Sequence, residues 1–244
     1  MDFLAAIRRD SDRFYELAAG AEADAARAVP PCPDWTIADL VWHLGEVHWF
    51  WATDIEIKAT DPDAIEATKP ARPDTYADLV AWGRAQADRL LHLLETRADD
   101  VPVWSWALKE EDHTVGFIRR HQVQEAAVHR WDLEQATRGE AQPIDAETAA
   151  DSIDELLHIT LPWGVRPDKP LSGSVHLHCT DVDGEWIIAT DGVVERTHAK
   201  GDAAIRGTAS DLLLAIYARI PLDEVEVIGD PAVAAELVAR INTE

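Results

Sequence analysis

Apolar residues recur at helical spacing through roughly the first two-thirds of the chain and alternate with polar ones in the remainder. Phe3, Ile7, Phe14 and Leu17 mark one face of a first helix that ends near Gly20. Pro30-Pro31-Cys32-Pro33-Asp34 predicts a rigid, extended lead-in. Thr36-Ile37-Ala38-Asp39 then reads as a capping box, with Asp39 standing in for the usual longer carboxylate. Leu40, Leu44, Val47, Trp51 and Ile55 form the stripe of this second helix. A polar, proline-containing loop is expected from about Asp61 to Asp74. Thr75 and Asp78 open a third helix whose Leu79, Leu90, Leu91 and Leu94 face inward. A linker holding Trp104 and Trp106 leads to a fourth helix, about Val115 to Thr137, stopped by Gly139. A shorter fifth helix near Ala146 to Thr160 carries Ile153, Leu156 and Leu157. Four long amphipathic helices followed by a short one predict a helical bundle.

Pro162, Gly164, Pro167 and Pro170 interrupt this pattern, and the period then changes. Val175, Leu177 and Cys179 alternate with polar residues, as on a strand, and Asp183-Gly184 places a hairpin turn before Trp186-Ile187-Ile188. Ala203 to Gly207 and Glu224 to Ile228 read as further strands, Ser210 to Ile220 as a helix, and Asp230-Pro231 as the start of a last helix. The expected architecture is a bundle over residues 1–162 and a small α+β domain over 171–244.

Composition narrows the function. The formal charge is −24, from 46 acidic against 22 basic residues. Such a surface repels nucleic acid and anionic membranes, so neither is an expected partner. Two cysteines far apart, Cys32 and Cys179, make neither a disulfide framework nor a cysteine metal site. No run approaches 18 apolar residues, and Met1-Asp2-Phe3 lacks the basic start of a signal peptide. A cytoplasmic protein, monomeric or a small homo-oligomer, is expected.

The chemistry concentrates on the fourth helix. Glu125 and His129 stand four apart and project from one face, flanked along it by Ile118 and Ala136. A charge on a core face is costly unless it is paired or ligates a metal. A catalytic zinc site needs a third protein donor and an open position. The second helix offers His43 and His48, which flank its apolar stripe about equally, so spacing leaves the choice open. His121 and His113 are further candidates, whereas His92, His158, His176, His178 and His198 are less well placed.

Residues 31–44, P-C-P-D-W-T-I-A-D-L-V-W-H-L, resemble the second-helix motif of the mycothiol-dependent maleylpyruvate isomerase family. Residues 125–132, E-A-A-V-H-R-W-D, resemble its second motif. Trp104-Ser105-Trp106, Val115-Gly116-Phe117 and Arg119-Arg120 are similar to the connecting segment. Gly207 to Leu214, Arg219 and Gly229-Asp230 are similar to the family's second domain. The resemblance covers nearly the whole chain. It implies a DinB-like four-helix bundle followed by a small α+β domain shaped like sterol carrier proteins.

The same resemblance implies a divalent metal, zinc above all, held by His43, Glu125 and His129 with one position open. Gln124 departs from the pattern, since many relatives carry a histidine there. Asp132, one turn beyond His129, becomes a candidate for orienting that imidazole. Neither cysteine belongs to the metal motifs, so the thiol is expected to be mycothiol from solution. Adding its thiolate to the cis double bond of maleylpyruvate, rotating the resulting single bond and expelling the thiolate yields fumarylpyruvate. Arg219 matches a family arginine suited to a substrate carboxylate, with Arg119, Arg120 and Arg130 the alternatives. Two other functions remain open: a mycothiol S-transferase for a different small electrophile, and a metal-binding protein without turnover.

Overall fold

The computed structural model describes residues 1–241, which divide into two compact units, residues 1–142 and the residues from 143 onward.

In the first unit, α1 (Phe3–Ala19) leads through a small antiparallel hairpin, β1 (Ala28–Val29) with β2 (Cys32–Thr36), into α2 (Ile37–Ile57). The proline-rich lead-in is therefore extended as expected, but it also supplies a strand. The loop expected from Asp61 to Asp74 contains a helical turn, α3 (Pro62–Glu66), started by the Asp61 side chain, which accepts from Asp63 N, and by a proline in its first turn. The long helices α4 (Tyr76–Thr96) and α5 (Val115–Arg138) complete the bundle. Helix α1 packs on α4 and α5, and α2 packs on the same two, so the four helices close a ring around one core. Phe14, Tyr15, Leu40, Leu44, Leu79 and Leu133 fill it.

Local chemistry fixes the ends of these helices. Thr36 Oγ1 accepts from Asp39 N at 3.2 Å, while Asp39 Oδ2 accepts from Thr36 N at 3.0 Å. Thr75 accepts from Asp78 N at 3.1 Å. Gly139 ends α5 at φ +76°, a left-handed conformation that costs glycine little. Gly45 sets the spacing between α2 and α4. A β-carbon there would lie 3.1 Å from Gly83 Cα and 2.6 Å from the Trp82 ring. The missing side chain at Gly45 thus lets α2 approach α4 closely, while the one at Gly83 leaves room for the Tyr15 ring of α1, 2.8 Å from where a β-carbon would stand.

The second unit begins with α6 (Ala146–Ile159) and the turn α7 (Leu161–Gly164). Strands β3 (Val175–Cys179), β4 (Glu185–Ile188), β5 (Val194–Glu195) and β6 (Ala203–Gly207) follow, then α8 (Ala209–Ile216), β7 (Glu226–Gly229) and α9 (Pro231–Arg240). The sheet runs β5-β4-β3-β6-β7, antiparallel except for the parallel β3–β6 pair.

This division places α6 with the second unit, not with the bundle as residues 1–162 would have it. Trp186 Nε1 donates to Asp154 Oδ1 at 2.8 Å, and Ile144 N donates to Ser210 Oγ at 3.0 Å. The prolines from 162 to 170 punctuate the chain inside that unit. Helix α8 ends at Ile216, four residues earlier than its apolar run suggests. Ala218 turns left-handed (φ +53°), and Arg219 N bonds back to Leu214 O at 2.8 Å. The last strand starts at Glu226 because Leu222–Glu224 form a 3₁₀ turn. Among the described residues, no helix is long and apolar enough to cross a membrane.

Candidate metal centre

Helix α5 presents Glu125 and His129 four residues apart, and their side chains meet: Glu125 Oε2 lies 3.4 Å from His129 Nε2. Helix α2, started by the Thr36 cap, brings up His43 two turns later, within the same ring of helices. One donor atom from each of His43, Glu125 and His129 lies within 4.8 Å of the others. The His43 and His129 rings stand edge to face, with centroids 4.8 Å apart. Trp35 covers both, at 4.6 Å from His43 and 6.2 Å from His129. No sequence argument singled out Trp35, although it directly precedes the Thr36 cap and is thereby aimed by the same turn.

Further residues hold this arrangement. His129 Nδ1 is 3.0 Å from Asp132 Oδ2, and Asp132 is fully buried. That contact orients the ring so that Nε2 faces Glu125. The other Glu125 oxygen lies 3.5 Å from His121 Nε2. His121 stacks on Phe117 at 5.4 Å and meets Trp51 and Trp106 edge-on. Its Nδ1 contacts the Gln124 amide at 3.1 Å. His121 therefore stands as an aromatic-packed support for Glu125, and Gln124 serves that support.

The electrostatics follow from burial and these partners. Burial disfavours charge at His129, but the carboxylates of Asp132 and Glu125 outweigh it and raise its proton affinity above the ordinary imidazole range. Burial likewise disfavours ionised Glu125, yet hydrogen bonds and charge from His121 and His129 hold its carboxyl well below the usual range. His48 behaves differently. It is fully buried, its Nδ1 lies 3.4 Å from the Tyr15 hydroxyl, and its Nε2 has no hydrogen-bond partner among the described residues. Burial pushes it down to about 3, so it is neutral.

The remaining candidates have other engagements. His113 Nε2 contacts Ala107 O at 2.9 Å. Arg119 donates to Arg97 O at 3.0 Å and pairs with Asp99. Arg130, 5% exposed, binds Asp10, Glu134 and Gln142 O. In the second unit, Arg219 donates to Tyr217 O at 3.0 Å, with its guanidinium 5.6 Å over the Tyr217 ring.

Two imidazoles and a carboxylate form a donor set that suits zinc and other borderline divalent cations. The fit is good: three donors converge in a half-buried site, and one imidazole is already oriented by a buried carboxylate.

Residues 4–134 match the profile of the mycothiol maleylpyruvate isomerase N-terminal domain, and residues 147–236 match the corresponding C-terminal domain. The chain belongs to the mycothiol maleylpyruvate isomerase family. Among its relatives is an uncharacterized protein of Mycobacterium tuberculosis, found in two strains. Each copy is 29% identical over 175 residues, covering 70% of this chain and 87% of the relative. The fold is similar to the crystal structure of a His-to-Ala mutant of mycothiol-dependent maleylpyruvate isomerase. That match has a TM-score of 0.61 at 12% identity, covering 93% of this chain and 91% of the other. The family's two-domain order thus runs through this chain, a helical unit first and an α+β unit second.

Proposed function

We propose that this chain is a divalent-metal enzyme that uses mycothiol to attack a small electrophile. Its reaction on this reading is the cis–trans isomerisation of maleylpyruvate to fumarylpyruvate, or a related thiol addition. The observation that carries the proposal is the convergence of His43, Glu125 and His129, with Asp132 fixing the His129 ring. The bound cation would supply the positive charge that keeps a thiol ionised at neutral pH.

Each residue has a separate task. His43, Glu125 and His129 would hold the cation. Asp132 keeps the His129 Nδ1 proton in place, so that Nε2 remains a donor to the cation. Trp35 shields the two imidazoles from water on one side. The nucleophile has to come from solution, because Cys179 is buried and its thiol is pushed up to about 12. Neither cysteine belongs to the donor group.

The isomerisation balances without an oxidant or reductant. The thiolate sulfur forms a bond to one carbon of the cis double bond, and the electron pair moves toward the ketone oxygen. Rotation about the new single bond and return of the pair then expel the thiolate and leave the trans alkene. A guanidinium would hold a substrate carboxylate, and Arg219 is the residue proposed for it.

The test is turnover of maleylpyruvate and of a generic electrophile by zinc-loaded protein, each with and without mycothiol. Mycothiol-dependent loss of maleylpyruvate, abolished by His43→Ala, supports the isomerase. Mycothiol-dependent consumption of the generic electrophile alone assigns an S-transferase. Full metal content with no turnover of either substrate would overturn the enzymatic reading.

A further inference from the structure

A second group of metal-type donors lies in the α+β unit, on the sheet face opposite its core. Strand β3 alternates: Val175, Leu177 and Cys179 are buried in the core, and His176 and His178 share the other face. On β4, Glu185 pairs across from His178 and so lies beside it on that face. The chain then runs through β5 and returns His198 over the pair. His178 Nδ1 and His198 Nδ1 converge on the same oxygen, Glu185 Oε1, the latter at 3.2 Å. The His176 and His198 rings are 5.1 Å apart, and those of His176 and His178 are 5.8 Å apart. One donor atom from each of the four residues lies within 4.8 Å of the others.

An ion pair explains part of this arrangement but not all of it. A carboxylate needs one protonated imidazole, and here three imidazoles face one another. His176 is 6% exposed, and its Nε2 has no hydrogen-bond partner among the described residues. A buried ring nitrogen without a partner, beside two imidazoles and a carboxylate, is the arrangement a cation would complete. Arg206 is the β6 neighbour of His178 and shares its face. Its guanidinium donates to Glu226 at 2.9 Å, on the side away from the histidines.

We propose that His176, His178, Glu185 and His198 bind a second divalent cation of the zinc class. Four protein donors saturate a tetrahedral zinc, so this site has a structural role and no open position for substrate. In such a site donor atoms stand about 3.3 Å apart, given bonds of about 2.0–2.1 Å. The present spread of up to 4.8 Å closes mainly by movement of His198, whose side chain is 76% exposed. The cation would pin the segment after β5 to the β3–β4 hairpin.

The test uses the full chain, stripped with chelator, reloaded with zinc and freed of loose metal by gel filtration. Wild type is expected to retain about two zinc ions per chain. A His176→Gln/His178→Gln double variant and His43→Ala should each retain about one, and their combination none. Should the double variant fail to fold, His198→Ala, at an exposed position, is expected to weaken one of the two binding events at least tenfold. Cobalt(II) supplies an independent readout, because the second site should give a tetrahedral visible spectrum that persists in His43→Ala and disappears in His198→Ala. One zinc per chain in wild type with none in His43→Ala would overturn the proposal. So would two zinc ions, undiminished in affinity, in His198→Ala.

Discussion

Asp132 holds the His129 ring from behind the candidate metal site, so replacing it should weaken metal binding without removing a donor. It is fully buried, and its Oδ2 lies 3.0 Å from His129 Nδ1. Asp132→Asn keeps the shape and one acceptor oxygen but removes the charge, whereas Asp132→Ala removes the acceptor as well. Loss of a carboxylate behind a metal-bound histidine typically lowers affinity about 10–100-fold, or roughly 1.4–2.7 kcal/mol. A second effect has the opposite sign. In the metal-free protein, burial lowers the proton affinity of His129, and Asp132 and Glu125 more than restore it, so zinc competes with a proton. Removing Asp132 also weakens that competitor. The two effects partly cancel at acidic pH, where the proton is bound. They separate once the pH exceeds the pKa of His129 in the metal-free wild type, leaving the full loss. Zinc dissociation constants from competition with a chromophoric chelator, at about pH 6.5 and about pH 10, resolve this, because His129 of the metal-free wild type titrates at about 9. Asp132→Asn should lie toward the tenfold end and Asp132→Ala toward the hundredfold end at the higher pH, both with smaller losses at the lower. Equal affinity to wild type at about pH 10, or a loss that shrinks as pH rises, would refute the role given to Asp132.

Three other outcomes are expected. Burial pushes Asp54 up to about 7 against about 3.8 when unfolded, so its contribution to stability is present below about pH 4 and lost as pH rises through about 7. Asp54→Asn should therefore raise stability by roughly 2–4 kcal/mol at pH 8 and by little at pH 4, read from urea midpoints; no gain at pH 8 would show that the carboxylate is well solvated. Arg219→Lys should leave zinc content and melting temperature nearly unchanged while slowing thiol-dependent turnover by about 100-fold, whereas normal turnover with a lower melting temperature would make Arg219 a helix-end residue only. Residues 1–142 expressed alone should fold and retain one zinc, since they contain the whole bundle core and all three donors, and a fragment without cooperative melting would show that the bundle depends on the rest of the chain.

The parts legible in the sequence are those set by local chemistry. Thr36 with Asp39, Thr75 with Asp78, and Gly139 fix helix ends through contacts within four residues, so the pattern places those ends closely. The choice between His43 and His48 is of another kind. Both flank the stripe of α2, and which one reaches α5 depends on how the helix is rotated in the bundle, which its packing on α4 at Gly45 and Gly83 helps to set. The periodicity of α6 shows that it buries a face, but its partners are Trp186 and α8, far along the chain. Prolines 162 to 170 therefore mark a change of element, not of unit. His176 and His178 carried a readable signal, since residues two apart on a strand share a face. Helical spacing, the pattern that pairs Glu125 with His129, does not bring them together.

The central claim is that His43, Glu125 and His129 hold a cation whose open side accepts an exogenous thiol. Cobalt-loaded protein tests it most directly, through the near-ultraviolet difference spectrum recorded as mycothiol is added. A saturable sulfur-to-cobalt charge-transfer band is expected in the wild type, absent in His43→Ala and undiminished in His198→Ala. A cobalt-loaded wild type whose spectrum mycothiol leaves unchanged, or a band that survives His43→Ala, would contradict it.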